Sequence, residues 1–330
     1  VLMAIQLTTY YQSKDIPALP GNNTFHSLEL FKIYEATPGY FPMLIVARKK
    51  DVVVGKILAA TRTQKKFFPP AIIKRCIIYD QGEFFCNSNA EKEKLFGFML
   101  EHLTTVSLRM SFIIEFRNLS HAKFGYRFFR LNKYFPINWL RVRNFFKKGK
   151  SIENSFSPSR RRQIRKALKN GAVAREAKTE EEINTFAEML RKNYSSKIRK
   201  YFPNQIFFKH METAFRKENK SKIFIVTYED KIIGGSACIY SKNSAYLWFS
   251  GGLRKSYRAQ SPGILAVWIA LKDAKKRGYK CLEFMDVGLA FRPHGYRDFV
   301  LRFGGKQSST RRWFRFKWNW LNTIFLKFYN

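Results

Sequence analysis

The chain contains one short motif twice, as GYRFF at Gly125–Phe129 and as GYRDF at Gly295–Phe299. LIVARKKDVVVGKILAA (Leu44–Ala60) precedes the first copy and FIVTYEDKIIGGSACIY (Phe224–Tyr240) precedes the second. These longer segments align without a gap at an offset of 180 residues (224 − 44). Each holds two β-branched runs around a charged turn, which predicts an antiparallel hairpin. The paired motifs therefore predict an internal duplication.

Further matches follow in the same order in both halves. A helix-like segment precedes each hairpin, and a longer helix, a short Glu-Phe strand, the GYRxF motif and a last strand follow it. The Glu-Phe strands are Ile113–Phe116 and Cys281–Phe284. The predicted fold class is α/β (α+β), with two tandem domains of mixed, mostly antiparallel sheet flanked by helices. A polar Gly/Ser segment near 145–157 sets the predicted domains at 1–150 and 151–330.

The composition limits the classes of partner. Sixty-one Lys and Arg against 24 Asp and Glu give a net charge of +37, which favours a polyanionic partner or an anionic surface over a merely solvated basic surface.

The longest apolar run, Ile264–Leu271, is too short to cross a bilayer. The first residues lack the pattern of a secretory signal, so we expect a cytoplasmic protein. The cysteines show no C-x-x-C spacing, and neither a metal site nor disulfides are expected.

A basic helix is predicted to open the second half. Ser157 suits an N-cap, Pro158 the first helical position and Gly171 the stop, so the helix should cover Pro158–Asn170. Its apolar side is marked by Ile164, Ala167 and Leu168. A stripe at i, i+4 carries the predicted polyanion-binding residues, which are Arg161, Arg165 and Lys169.

The helices that follow the two hairpins begin differently. The first has a capping-box pattern of Ser88 and Glu91, which fills the helix end with negative charge. The second begins Ser261-Pro-Gly263, where the serine can cap and the glycine leaves the backbone N–H groups uncovered. The cations before it are Arg254, Lys255 and Arg258. This pattern is typical of a phosphate site, although an ordinary capped helix with solvated cations would have the same residues.

The segment Leu247–Ala270 resembles the pyrophosphate-binding strand, loop and helix of the GCN5-related N-acetyltransferase (GNAT) fold. There, a Q/R-x-x-G-x-G/A turn caps the helix that holds coenzyme A. Gln260 and Gly263 stand at the first two fixed positions and Leu265 at the third. The donor- or phosphate-binding residues indicated by this segment are Arg258, Gln260, Ser261 and Gly263.

The tandem arrangement of the two halves limits the resemblance to fewer families with this fold. SPSRRRQIRKALKNG (Ser157–Gly171), YLWFSGG (Tyr246–Gly252) and RFGGK (Arg302–Lys306) resemble segments of the Fem-type peptidoglycan aminoacyltransferases and their FemAB-like relatives. The resemblance covers nearly the whole chain. It implies two GNAT-like domains, with a degenerate first copy and the donor site in the second. Family members transfer an amino acid from aminoacyl-tRNA to the stem peptide of a cell-wall precursor, and relatives use other acyl donors. The donor is a cosubstrate, so no tightly bound cofactor is expected.

Amide formation needs a neutral amine, a bound ester or thioester, a stabilised oxyanion and a proton donor for the leaving group. The resemblance places the cleft beside the strands at 245–250 and 281–285. Alternation predicts Tyr246, Trp248 and Ser250 on one strand face, with Leu247 and Phe249 on the other. The predicted catalytic residues are Asp286, Tyr246 and His294. A turn cap for Asp286 and a plain surface position for His294 remain alternative interpretations.

The predicted acceptor-binding residues are Tyr296, Arg297 and Lys306. Tyr296 and Arg297 have counterparts in the first half, so a structural role also stays open, with the arginine pairing with the shared Glu. Alternation of Phe314, Phe316 and Trp318 predicts a last strand. The tail beyond it is predicted either to rest on a membrane surface or to pack on the core.

The leading hypothesis is a cytoplasmic acyl- or aminoacyltransferase that forms an amide on a peptidoglycan precursor. Transfer RNA and an anionic inner membrane surface are possible partners. One alternative is a coenzyme A-dependent N-acyltransferase acting on a lipid or sugar amine. Another is a basic module that binds transfer RNA or anionic lipid without turnover.

Overall fold

The computed structural model describes residues 5–67, 70–193 and 203–328. The chain divides into two compact units, of which unit 1 is Val1–Trp139 with Ser309–Asn330 and unit 2 is Leu140–Ser308. The division expected at residue 150 assigned the C-terminal segment to the second domain. In the structure this segment belongs to unit 1, because its strand pairs with a strand of that unit.

Unit 1 has one sheet in the order β1-β2-β3-β4-β6-β13. All neighbours are antiparallel except β4 and β6, which are parallel. Its strands are β1 (Ile5–Tyr10), β2 (Tyr40–Lys49), β3 (Val52–Phe67), β4 (Pro70–Tyr79), β5 (Glu83–Phe84, beside β3), β6 (Ile113–Arg117) and most of β13 (Lys306–Phe316). Its helices are α1 (Leu28–Ala36), α2 (Asn89–Met110), α3 (Tyr126–Leu131) and α9 (Asn319–Phe328).

Unit 2 repeats this order as β8-β9-β10-β11-β12-β7. Here β11 and β12 are the parallel pair, and the other neighbours are antiparallel. Its strands are β8 (Val173–Glu176), β9 (Ser221–Tyr228), β10 (Lys231–Ser241), β11 (Ser244–Gly252), β12 (Cys281–Phe284) and the end of β7 (Phe135–Phe145). Its helices are α4 (Pro158–Lys169), α5 (Glu180–Asn193), α6 (Gln205–Phe215), α7 (Pro262–Lys276) and α8 (Gly295–Leu301).

The two hairpins predicted from the repeat are present, as β2–β3 and β9–β10. Their turn residues Lys50, Asp51, Glu229 and Asp230 all have positive φ (47°, 63°, 47° and 60°). Two consecutive residues in this region are the mark of a type I′ turn, whose twist matches that of the flanking strands. Matching sheet orders and matching turns confirm the tandem fold.

Each repeat supplies its last strand to the other unit. β7 follows α3 of the first repeat and pairs with β12, where Phe145 lies opposite Cys281. β13 follows α8 of the second repeat and pairs with β6, where Phe314 lies opposite Glu115. Neither repeat therefore completes its sheet from its own sequence.

The exchanged strands bring arginines to the shared buried glutamates. Arg312 of β13 donates to Glu115 at 3.0 Å, together with Arg117 at 2.9 Å and Arg75 at 3.1 Å. Burial raises the pKa of Glu115, but these three guanidinium groups outweigh it and lower the pKa to about 2.

In unit 2, Glu283 is held by Arg141 of β7, whose Nε donates to Oε1 at 3.0 Å and whose Nη2 contacts Oε2. Both residues are buried. The alternative in which the motif arginine pairs with the shared glutamate does not hold in unit 2, where Arg297 donates to the Leu289 carbonyl instead. The partner comes from a strand that lies far away in sequence.

The sheet of unit 2 is covered on both faces, which explains its continuous apolar strands. Phe224 and Val226 of β9 lie in the core that also holds Leu265 of α7. The neighbouring Ile223 and Ile225 are equally buried but are not part of that core. Across the described ranges, no helix has both the length and the apolar character needed to cross a membrane.

Candidate functional site

The parallel strands of unit 2 separate at their carboxyl ends. β11 and β12 pair from Ser244–Cys281 to Leu247–Phe284, and Met285 N donates to Leu247 O at 3.2 Å. β12 has then ended, whereas β11 continues to Gly252. The segment 248–252 therefore extends past the end of its parallel neighbour, and we call this edge of the sheet, beside which the cleft is predicted, the cleft edge.

The corresponding strands of unit 1 stay together. β4 and β6 are paired from Arg75–Ile113 to Tyr79–Arg117, and β4 ends there. Asp80 N continues the contact by donating to Arg117 O at 2.9 Å. Of the two copies, unit 2 has the open strand pair.

A β-bulge interrupts β11 where the strands begin to separate. Leu247 lies opposite Cys238 and Phe249 opposite Ala237, so Trp248 is the extra residue. The bulge breaks the predicted alternation: Leu247 packs in the α7 core, whereas Trp248 and Phe249 both contact Phe207 of α6. Bulges re-aim the following backbone and recur beside active sites.

The beginning of α7 lies directly on the separated strand. A Cβ at Gly252 would lie 2.6 Å from Gly263 N, and a Cβ at Gly234 would lie 2.9 Å from Pro262 Cβ. Gly234 and Gly252 are register partners in β10 and β11. This pair of glycines allows the helix end to approach the sheet closely.

The α7 N-terminus has no side-chain cap. Ser261 occupies the N-cap position with φ 45° and ψ 52°, but its side chain does not accept from a helical N–H. Its Oγ contacts Arg258 O at 3.4 Å, so the predicted side-chain capping is wrong. A Cβ at Gly263 would meet nothing within 4 Å, and the predicted exposure of the backbone N–H groups stays a prediction. The first turn contains no acid.

The α2 N-terminus in unit 1 is closed by the predicted capping box. Glu91 N donates to Ser88 Oγ at 3.2 Å, and Ser88 N donates to the Glu91 carboxylate at 3.3 Å. The Glu91 carboxylate would repel an anion at this helix end. The two helix ends thus differ in first-turn charge, as the sequence predicts.

Exposed cations surround the open end of α7. Arg254, Lys255 and Arg258 are exposed, and Gln260 is half-buried. Asn170 Nδ2, at the end of α4, donates to Ala259 O at 3.2 Å. This bond brings the basic helix beside the same loop.

Helix α4 forms as predicted. Ser157 Oγ accepts from Arg160 N at 3.3 Å, and Gly171 follows the helix with φ 82°. Arg165 and Lys169 are exposed and Arg161 is half-buried. Leu168 is 38 % exposed, so its assignment to the apolar side is wrong.

Sequence reasoning missed Arg160, which is 2 % exposed. Its guanidinium lies 4.6 Å from the Phe299 ring centroid and 4.5 Å from that of Phe303, and Nη2 donates to Phe299 O at 2.9 Å. Burial lowers its pKa to about 10, with Arg302 and Arg254 adding to the effect. The helical period places Arg160 on the face of Ile164 and Ala167, and that signal could have identified it.

The GYRDF motif lies against the cleft edge. Tyr296 Oη lies 3.5 Å from Ser250 Oγ of β11. Arg297 donates to the carbonyls of Leu289 at 2.8 Å and Arg292 at 2.7 Å. Arg297 therefore holds the loop that leads from β12 to α8, and its contact with an acceptor stays a prediction.

The three predicted catalytic residues occupy different positions around this edge. Tyr246 is half-buried and in register with Glu283. Asp286 lies two residues beyond β12, exposed, with φ 63°. His294 is half-buried, with its ring against Gly288, and its buried Nδ1 has no hydrogen-bond partner among the described residues. Their catalytic roles stay predictions.

The segment before β13 is shaped by two glycines. Gly304 has φ 80°, and a Cβ there would overlap the Ser155 carbonyl. A Cβ at Gly305 would lie 2.5 Å from Val142. This close packing leaves Lys306 exposed at the first position of β13.

Burial favours the protonated thiol in two of the cysteines. Burial raises the pKa of Cys238 and, to about 11, that of Cys76. Within the described ranges, no cluster of three or more His, Cys, Asp or Glu side chains could hold a metal ion.

A known domain family matches the part of the sequence that forms β11, β12 and α7. Residues 157–293 match the model of the acetyltransferase (GNAT) domain family, which covers the open strand pair and α7. None of the curated proteins matches the sequence.

Three solved structures share the fold over most of the chain. FemX is 12% identical with a TM-score of 0.62, covering 94% of this chain and 96% of its own. A tandem GNAT protein from the clavulanic acid biosynthesis pathway is 10% identical, with a TM-score of 0.58 and coverage of 95% and 99%. The C-terminal domain of a putative lysylphosphatidylglycerol synthetase from Agrobacterium fabrum is 9% identical, with a TM-score of 0.55 and coverage of 92% and 90%. At these identities the likeness concerns the fold.

Proposed function

We propose that this chain, whose residues 157–293 match the acetyltransferase (GNAT) domain model and whose tandem fold resembles that of FemX, is an acyltransferase that transfers an acyl or aminoacyl group to the amine of a peptidoglycan precursor. The proposed donor is carried by a phosphate-bearing molecule, either aminoacyl-tRNA or acyl-coenzyme A. The proposed place of action is the cytoplasmic face of the membrane, where such a precursor is made.

The observation that carries the proposal is the contrast between the two copies. Unit 2 combines a separated strand pair, a bulge at Trp248 and an uncapped helix end flanked by cations. Unit 1 has a fully paired strand pair and a helix end filled by Glu91. Of the two corresponding helix ends, that of α2 carries an acid in its first turn and that of α7 does not, so we expect the donor to bind at α7.

The donor's phosphate would lie at the α7 N-terminus, against Gly263 N–H and the Arg258 guanidinium. Gln260 and Ser261 would line the same turn. The acyl group would then extend along residues 248–252 of β11 toward the cleft edge. Backbone N–H groups on an extended strand are suitable donors for a developing oxyanion.

The acceptor amine would approach from the side of α8. Its nitrogen lone pair attacks the acyl carbon, and the tetrahedral intermediate breaks the C–O bond of an aminoacyl ester or the C–S bond of a thioester. The amine loses one proton, and the hydroxyl or thiol leaves with one. We assign Asp286 or His294 to proton removal, Tyr246 to proton donation, and Tyr296, Arg297 and Lys306 to acceptor binding.

The basic α4 stripe supports a polyanionic donor. Arg161, Arg165 and Lys169 lie on the helix that is bonded to the α7 loop through Asn170. A transfer RNA bound at α7 by its acceptor end would have its backbone available to this stripe. Coenzyme A is too small to need it.

The second candidate is a coenzyme A-dependent N-acyltransferase acting on a lipid or sugar amine. It is favoured by the match of residues 157–293 to the acetyltransferase (GNAT) model. Leu265, at the third fixed position of the turn, is fully buried in the α7 core. Its side chain therefore lies in the core and does not occupy the helix end at which the donor is proposed to bind.

The test is intact-mass detection of products after the protein is incubated with donors and amine acceptors. The donors are charged transfer RNA and acyl-coenzyme A, and the acceptors are peptidoglycan precursors, amino sugars and aminolipids. Arg258→Gln should raise the half-saturating donor concentration about tenfold, as expected for the loss of one charge-assisted phosphate contact. Arg161→Gln is the matched control, since it should matter for transfer RNA and leave coenzyme A kinetics unchanged. A product formed from acyl-coenzyme A with an amino sugar or aminolipid, and none with a peptidoglycan precursor, would replace the first candidate by the second, and no product from any pair would refute both.

A further inference from the structure

Helix α9 carries an apolar stripe on its outer face. Trp320, Ile324 and Phe328 follow one another at i, i+4 and i+8 and are 59%, 42% and 79% exposed. Trp318, just before the helix, is 53% exposed and stacks on Trp320 at 6.3 Å. Large exposed side chains in one row mark a binding surface more often than scattered ones do.

The inner face of α9 is firmly attached to unit 1, so the stripe is displayed by an ordered helix. Asn322 is fully buried; its Oδ1 accepts from Phe316 N at 2.7 Å and its Nδ2 donates to Phe316 O at 2.9 Å. Phe325 stacks on Phe135 at 5.0 Å. The helix is thus apolar on both sides. The inner side attaches it to unit 1, and the outer side is exposed to solvent.

The stripe continues into a neighbouring patch of aromatic and basic side chains. Phe112 contacts Trp318 at 5.1 Å, and Phe112 N donates to Lys74 O at 2.8 Å. Lys74 Nζ in turn lies 5.8 Å from the ring of Phe41, which is 47% exposed. We call this surface, together with the stripe, the α9 face.

Cations border the α9 face. Among the described residues, the exposed Asp, Glu, Lys and Arg side chains within three positions of its apolar residues, or in contact with them, are all cationic, namely Lys74, Arg109, Lys317 and Lys327. No Asp or Glu occurs in the sequence after Asp298. A second copy of the chain would bring its own charge of +37 to this face, which opposes self-association. An anionic lipid surface satisfies both the aromatic stripe and the surrounding cations.

We propose that the α9 face docks the protein on an anionic lipid bilayer. Trp318 and Trp320 would lie at the headgroup level, Ile324 and Phe328 would enter the acyl boundary, and the lysines would contact lipid phosphates. The surface belongs to unit 1, whereas the proposed donor site belongs to unit 2. The inference is therefore independent of the proposed reaction.

The test is co-sedimentation of the full chain with vesicles of phosphatidylglycerol and phosphatidylcholine in equal parts, and with phosphatidylcholine alone. We expect binding to the anionic vesicles. Trp320→Ala/Ile324→Ala/Phe328→Ala should weaken it by about a hundredfold, since each half-exposed side chain contributes about fivefold on burial. Lys317→Gln and Lys327→Gln should each weaken it by about fivefold. The control is Leu131→Ala, an equally exposed apolar residue of unit 1 on α3, which should bind like the wild type.

A second measurement uses the wild-type protein alone. Trp318 and Trp320 are its most exposed indoles, so anionic vesicles should shift the tryptophan emission to the blue and reduce acrylamide quenching. Binding that the triple variant retains, or an emission spectrum that vesicles leave unchanged, would overturn the proposal. So would a concentration-dependent dimer that the triple variant abolishes, because the α9 face would then be a contact between copies.

Discussion

Three arginines surround Glu115, and we call this group the Glu115 cage. It gives a quantitative test of the strand exchange. Glu115→Gln removes the one acid that Arg75, Arg117 and Arg312 share in unit 1. The glutamine keeps the shape but leaves three guanidinium groups without their counter-charge. Because Arg312 is on the strand supplied by the second repeat, the loss should affect the attachment of that strand.

Two separate arguments give the same loss of unfolding free energy for Glu115→Gln. Glu115 is 1% exposed, and its pKa falls from 4.5 to about 2 on folding, which corresponds to about 3 kcal/mol of stability at neutral pH. Breaking a buried ion pair by removing one partner costs about 3–5 kcal/mol in other proteins. We therefore expect Glu115→Gln to lower the free energy of unfolding by about 3 kcal/mol at pH 7.

The pH dependence follows from the lowered pKa. A carboxylate with a depressed folded-state pKa stabilises the fold above its unfolded pKa of 4.5 and loses this effect as the pH falls toward about 2. The difference between wild type and Glu115→Gln should shrink to roughly 1 kcal/mol at pH 3.

The assay is urea unfolding followed by tryptophan fluorescence at several pH values. Trp313 is fully buried beside Arg312 in β13, so its emission reports on the exchanged strand. The control is Glu101→Gln, an exposed acid on α2 of the same unit, which should change stability little. A loss below about 1 kcal/mol at pH 7, or a loss that is the same at pH 3, would refute this account of the cage.

Three further substitutions test the packing around the proposed site. Gly252→Ala should destabilise by about 1–3 kcal/mol through overpacking, because its Cβ would lie 2.6 Å from Gly263 N; thermal unfolding measures this. Gly263→Ala meets nothing within 4 Å, so it should preserve the melting temperature and yet weaken donor binding by calorimetry; equal donor affinity would argue against a phosphate at this residue. Arg160→Gln should cost about 2 kcal/mol through the lost ring contacts and carbonyl bond, checked by urea unfolding, whereas an unchanged midpoint would contradict its role in joining α4 to α8.

Much of the fold is local and could be predicted. The hairpin turns need two residues with positive φ, and the charged pairs Lys50-Asp51 and Glu229-Asp230 adopt them. The α4 helix has its cap and first-turn proline at Ser157 and Pro158 and its terminal glycine at Gly171, so both ends are marked by residues at or next to the helix. The contrast between the two helix ends also depends on neighbours in sequence, namely an acid at position 91 and none beside Gly263.

The roles of the predicted site residues stay predictions, and only their placement can be compared with the sequence. Gly263 and its cations are brought together by one loop. The errors lie where a register or a distant partner decides: the bulge at Trp248 moved Phe249 to the α6 side, and Ser261 adopted a left-handed backbone in place of capping the helix.

The sequence alone determined the duplicated units, their order of elements and the difference in first-turn charge between α2 and α7, since repeats and helix ends are patterns of neighbouring residues. The tertiary structure alone decided which repeat completes which sheet, which arginine neutralises each buried glutamate and where β11 leaves β12. Arg312 lies 197 residues from Glu115 and Arg141 lies 142 from Glu283. Pairings over such separations depend on the energy of the whole packed sheet, which no local pattern of residues encodes.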